Sequence, residues 1–114
     1  METPITVAFV PPFEDRAAAV WSEEELDEFV AYIAYHPDAG DVIPGSGGVR
    51  KVRWGRSGSG KRGGVRVAYY YHDDSMPLFL LTVYAKNRRE NLSPAELASM
   101  RKLIQTLKEE YGKA

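Results

Sequence analysis

Residues 45–71 read GSGGVRKVRWGRSGSGKRGGVRVAYYY, from Gly45 to Tyr71, and the rest of the chain is organised around them. The stretch carries seven cations (Arg50, Lys51, Arg53, Arg56, Lys61, Arg62 and Arg66) and no carboxylate. Two runs rich in β-branched and aromatic residues, Val49–Trp54 and Val65–His72, flank the Gly/Ser-rich segment Gly55–Gly64. This pattern predicts strand, long hairpin loop, strand. Lys51 and Arg53 alternate with Val52 and Trp54, so cations fall on one face of the first strand and apolar residues on the other. On the second strand Arg66, Ala68, Tyr70 and His72 share a face, which places Tyr69 and Tyr71 in the core and Tyr70 where a base can stack. Cations fixed on paired strands, with more on a loop able to close, suit an extended polyanion such as RNA.

Downstream, Asp73–Ser75 predicts a turn and Leu78–Ala85 the most apolar strand, with Phe79, Leu81 and Val83 on one face and Thr82, Tyr84 and Lys86 on the other. Ser93-Pro94-Ala95-Glu96 opens a helix with an N-cap, a proline at the first helical position and a capping-box glutamate. Its apolar seam is Leu97, Met100, Ile104, Leu107 and Tyr111. Upstream, Asp41–Gly48 reads as a turn-rich connector. Before it Ser22, Glu25, Trp21 and Leu26 form a capping box and hydrophobic staple for a helix with the stripe Leu26, Phe29, Val30, Ile33, ended near His36 by Pro37 and Gly40. Phe13–Val20 predicts a short helix, and Ile5–Val10 a first strand stopped by Pro11-Pro12. The order β-α-α-β-β-β-α predicts an α+β fold: a small mixed or antiparallel sheet covered by helices on one face and free to bind on the other.

A chain of 114 residues is read as a single domain over 1–114, able to bury one core without staples. The absence of cysteine excludes disulfides and thiolate metal sites and suits a cytoplasmic home. No apolar run is long enough to span a bilayer, and METPITVAFVPPFEDR lacks a basic region ahead of an apolar core, so neither membrane nor signal peptide is expected. The net charge of −1 conceals a strong asymmetry. Residues 1–44 hold ten acids and one base, residues 45–89 ten bases and two acids, and residues 90–114 four of each. A basic face for a polyanion and an acidic region elsewhere follow from this division.

Gly55–Arg62 fits the pattern G-x-x-x-x-G-K, but Arg62 stands where a magnesium-holding Ser or Thr belongs, and a strand follows instead of a helix. Nucleotide hydrolysis is excluded on that chemistry. His36 and His72 have no companion at metal-ligand spacing, so no metal site is expected. The constellation best suited to chemistry is Lys61, Arg66 and Lys86, with Asn87 and Tyr84 beside them. Metal-free RNA cleavage needs a base for the ribose 2′-hydroxyl, cations for the phosphorane and an acid for the leaving 5′-oxygen. Lysines among crowded cations can fill the proton-transfer roles. Spacing alone leaves two readings open: a ribonuclease site, and a basic binding face without chemistry.

Five ordered motifs carry a family resemblance. They are Gly40-Asp41-Val42-Ile43-Pro44-Gly45, Gly47-Gly48-Val49-Arg50-Lys51-Val52-Arg53, Gly60-Lys61-Arg62-Gly63-Gly64-Val65-Arg66-Val67, Leu80-Leu81-Thr82-Val83-Tyr84-Ala85-Lys86-Asn87 and Leu92-Ser93-Pro94-Ala95-Glu96-Leu97. Over residues 20–108 the chain resembles RelE-type toxins of the HigB branch. The resemblance implies the toxin of a type II toxin–antitoxin pair, a microbial-ribonuclease-like fold, and ribosome-dependent cleavage of messenger RNA in the A site without a cofactor. It also implies a helix-turn-helix antitoxin, the ribosome and messenger RNA as partners, and a toxin that is monomeric alone. Carried over by motif, Arg66 corresponds to the transition-state arginine, Lys61 and Lys86 to basic catalytic or RNA-positioning residues, and Asn87 to a polar neighbour. Arg50, Lys51, Arg53, Arg56, Arg62, Tyr70, Tyr84 and Arg88 complete the expected RNA-binding set. Some relatives place a tyrosine beyond this point, where the chain reads Asn87-Arg88-Arg89-Glu90-Asn91-Leu92, so base and acid stay unassigned. A ParE-like gyrase inhibitor and a non-catalytic RNA-binding module are the alternatives on the same fold.

Overall fold

Alternating β-branched and aromatic residues make strands, and two Ser-x-x-Glu boxes start the longer helices. A computed structural model describes residues 3–11, 13–55, 64–86 and 91–112. In chain order the elements are β1 (Val7–Phe9), α1 (Phe13–Val20), α2 (Glu23–Tyr35), β2 (Asp41–Val42), β3 (Val49–Trp54), β4 (Val65–Tyr70), β5 (Leu78–Ala85) and α3 (Pro94–Tyr111). The five strands form one mixed sheet in the order β1-β5-β4-β3-β2. β1 runs parallel to β5, and every other pairing is antiparallel. This is the α+β architecture expected from the sequence, with one added strand.

That strand, β2, lies in the segment read as a connector and pairs Asp41 with Lys51 and Val42 with Arg50. The chain then turns around Ser46, whose buried hydroxyl donates to the Ile43 carbonyl at 2.6 Å and accepts the Val49 N–H at 2.9 Å. Gly48 closes the turn at φ +112°, and a Cβ there would sit 3.0 Å from Cε1 of Tyr70. Only glycine meets both demands.

Both capping boxes form. Ser22 Oγ accepts from the Glu25 N–H at 3.1 Å while Glu25 Oε1 accepts from the Ser22 N–H at 2.9 Å. Ser93 and Glu96 repeat the exchange at 3.1 and 2.8 Å, with Pro94 in the first turn. Such caps stabilise a helix by about 1 kcal/mol each. His36 is the C-cap of α2, and its ring packs on Tyr32 with centroids 4.7 Å apart.

The helices cover both faces of the sheet, where one covered face was expected. Phe13 and Ala17 of α1 and Phe29 and Ile33 of α2 pack with Val65, Val67, Tyr69, Leu78, Leu80 and Val83. On the opposite face Leu97, Met100, Leu103, Ile104 and Leu107 of α3 pack against a cluster that includes Val49, Ala68, Tyr70, Phe79, Leu81 and Tyr84. An amphipathic seam states that a helix must be buried, not on which side of a sheet. A β-bulge adds to the difference. Ala68 pairs with Thr82 but Tyr69 with Leu80, so Leu81 is the extra residue. Phe79 and Leu81 therefore face α3 while Val83 faces α1 and α2, and the single face expected for these three is split.

Candidate nucleic-acid interface

Cross-strand partners in a sheet share a face and lie side by side. Arg53 of β3 pairs with Arg66 of β4, and Arg66 pairs with Tyr84 of β5, giving a row Arg53–Arg66–Tyr84. The next row is Lys51–Ala68–Thr82. The opposite side of β3 anchors the sheet in the core: Trp54 packs on Phe29 and Tyr32, with ring centroids 5.2 and 4.8 Å away. Beyond these rows, on the same face, Tyr70 and Phe79 are partners under α3. Arg53 and Arg66 thus lie at the end of the face beyond Ala68 and Tyr70, while Tyr84 of the same row belongs to the cluster packed by α3.

Arg53 is exposed and Arg66 half-buried. Among the described residues neither guanidinium makes a hydrogen bond or an ion pair, and the ion pair His72–Asp73, at 3.6 Å, is elsewhere. Lys51 Nζ donates to Asn91 Oδ1 at 3.1 Å, bringing the residue just ahead of α3 to this face. Lys86 follows Ala85, and its N–H donates to the Gly64 carbonyl at 3.1 Å, so the ladder continues one position beyond β5. Alternation puts Lys86, which is exposed, on the Tyr84 side.

Lys51, Arg53, Arg66 and Tyr84 are brought together on one face. Lys61, Arg56, Arg62, Asn87 and Arg88 lie outside the described residues. Two expected RNA contacts are corrected. Arg50 alternates with Val52 and Trp54 and points to the other face, where its Nη1 donates to the carbonyls of Gly40 at 2.7 Å and Asp38 at 3.4 Å. Tyr70 shares the Arg66 face but is only 4% exposed beneath α3, so no base can stack on it. Burial pushes its phenol up from the usual tyrosine value, with Asp73 adding to the shift. Tyr84, 7% exposed, is part of the same cluster and presents little more than an edge.

Two residues at this face were not singled out in the sequence. Arg16 Nη1 donates to Thr82 Oγ1 at 2.8 Å, across 66 residues of sequence. Its signal was available: Arg16 is the only base in the first 44 residues. Asn91 had no comparable signal, because its meeting with Lys51 depends on where α3 packs. Among the described residues no three His, Cys, Asp or Glu side chains gather as a metal site would require, and no helix is long and apolar enough to cross a membrane.

Residues 38–113 match the family described as the RelE toxin of the RelE / RelB toxin-antitoxin system. The chain belongs to the RelE toxin family of toxin–antitoxin systems. Its fold is similar to that of a double arginine-to-alanine mutant of E. coli toxin RelE in the free state, with a TM-score of 0.56 over 87% of this chain and 95% of that one. Sequence identity over this match is 16%, so the likeness speaks to the fold.

Proposed function

We propose that the chain, a single toxin domain over residues 1–114, is the toxin of a type II pair in the HigB branch. It inhibits translation by cutting messenger RNA in the ribosomal A site. The observation that carries this reading is the Arg53–Arg66–Tyr84 row, two arginines side by side without a carboxylate partner among the described residues. A sheet places side chains with little positional freedom, and paired guanidinium groups suit the oxygens of a phosphodiester.

In this mechanism a base removes the proton of the ribose 2′-hydroxyl. The freed oxygen attacks phosphorus, Arg66 stabilises the charge that gathers on the phosphorane, and an acid protonates the departing 5′-oxygen, leaving a 2′,3′-cyclic phosphate. Lys61 and Lys86 serve the proton transfers, and Asn87 beside them holds the phosphate, with no cofactor. Lys86, fixed at the end of β5, contributes more to the chemistry and Lys61 more to the grip on RNA. Lys51, Arg53, Arg56, Arg62 and Arg88 neutralise neighbouring phosphates. A helix-turn-helix antitoxin restrains a cytoplasmic toxin that is monomeric when free.

The test is incubation of the purified chain with ribosomes programmed with a defined message, followed by mapping of the new 5′ ends. Cuts confined to the A-site codon support the reading. Loss of gyrase supercoiling activity without RNA cleavage supports a ParE-like toxin, and RNA retention without either result supports a non-catalytic binding module.

A further inference from the structure

The segment that holds ten of the sixteen acids contributes one cation to the basic face. Arg16 is the only base among residues 1–44, and α1, which bears it, packs through Phe13 and Ala17 with Val83 of β5. Its guanidinium reaches Thr82 at 2.8 Å. Thr82 is the register partner of Ala68, one row from the Arg66–Tyr84 pair, so the residue that anchors Arg16 stands diagonal to Arg66. Positions two apart on a strand are separated by roughly 6.7 Å. A guanidinium has five N–H donors. The bond to Thr82 uses one, and among the described residues the others have no partner.

Thr82 is 1% exposed, and a buried hydroxyl needs a hydrogen bond. Arg16 supplies it, so the threonine fixes one end of a guanidinium whose remaining donors are open. We infer that Arg16 is a phosphate-binding residue of the RNA interface, held in register with Arg66 by Thr82 as a positioning residue. This rests on the proposed cleavage of RNA and deepens it: the nucleic acid runs across β5 towards α1 as well as along the hairpin. A purely structural Arg16, present only to satisfy Thr82, is the competing account.

The two accounts separate in Arg16→Gln, which keeps a donor for Thr82 but removes the charge, and in R16A/T82V, which removes both polar partners together. Both variants are to be assayed for cleavage on programmed ribosomes and for binding to a short single-stranded RNA at several salt concentrations, alongside melting curves. The expected result is near-native melting, about a tenfold weaker half-saturation and little change in single-turnover rate at saturating toxin. The slope of log affinity against log salt should fall by about one. Wild-type affinity and salt slope in both variants would overturn the inference while leaving the cleavage reading intact. A wild-type chain that fails to cut, yet binds RNA in an Arg16-dependent way, would overturn the cleavage reading and leave this inference standing.

Discussion

Arg53 and Arg66 stand directly opposite each other on neighbouring antiparallel strands, as register partners on one face of the sheet. Like charges in this relation destabilise a sheet by about 0.5 kcal/mol, and no carboxylate among the described residues relieves the pair. A local conflict of this kind, in a fold whose caps, turns and core are consistent, is what a working site is expected to show, and it supports the role proposed for Arg66.

The first prediction follows from that conflict. Arg53→Gln should leave the melting temperature unchanged or raise it slightly, while weakening RNA binding. The wild type should gain more stability than the variant as salt screens the pair. Thermal melts at low and high salt check this. A clear loss of stability in Arg53→Gln at low salt would show that the pair is not repulsive.

Tyr69 supplies a second. Its buried hydroxyl accepts from the Gly40 N–H at 2.8 Å and donates to the Pro37 carbonyl at 2.9 Å, tying the end of α2 to the sheet. Tyr69→Phe leaves both backbone groups without this partner and should cost about 1–3 kcal/mol in denaturant unfolding. Burial raises the Tyr69 phenol above its ordinary value of 10.0, so the unfolded chain loses that proton first as pH rises. Its contribution is therefore complete below that value and lost as pH climbs through the folded one. Alkaline melting should be flatter in Tyr69→Phe, with a residual slope from Tyr70 and Tyr71, whose phenols burial also raises.

A third concerns the turn before β3. Gly48→Ala combines φ +112° with a Cβ 3.0 Å from the Tyr70 ring, and should destabilise by about 1–3 kcal/mol. Gly45→Ala, with φ +74° but nothing within 4 Å, should cost less. Comparing the two melts separates backbone strain from the clash. Equal losses would show that the Tyr70 contact contributes nothing.

The cap of α3 gives a fourth. Ser93→Ala should cost about 1 kcal/mol, because the Glu96 N–H loses its acceptor. Amide exchange should accelerate at the start of α3 before it does so at Ile104, which is 2% exposed. Uniform acceleration along the helix would contradict a local effect.

The strands of the central hairpin, both capping boxes and the α+β class were legible because each is written in local periodicity or in a short polar signature. Arg50 was expected among the RNA contacts although its parity with Val52 and Trp54 sets it apart from Lys51 and Arg53, and its bonds to the Gly40 and Asp38 carbonyls correct that expectation. The bulge at Leu81 was not, since one extra residue in an apolar run leaves no mark in the alternation while reversing which face Val83 takes. The burial of Tyr70 depends on α3 crossing the second face of the sheet, a long-range choice that no helical seam encodes. The meeting of Arg16 with Thr82 is long-range in the same sense, and only the isolation of that arginine among acids pointed to it.

The central claim is that Arg66 acts on the phosphate of a ribosome-bound message. The most direct measurement is the single-turnover rate of A-site cleavage by Arg66→Ala on programmed ribosomes, with melting of the same preparation. We expect a loss of a hundredfold or more, on the order seen when one transition-state donor is removed, with melting at or above that of the wild type. Cleavage at the wild-type rate by a folded Arg66→Ala chain would contradict the account.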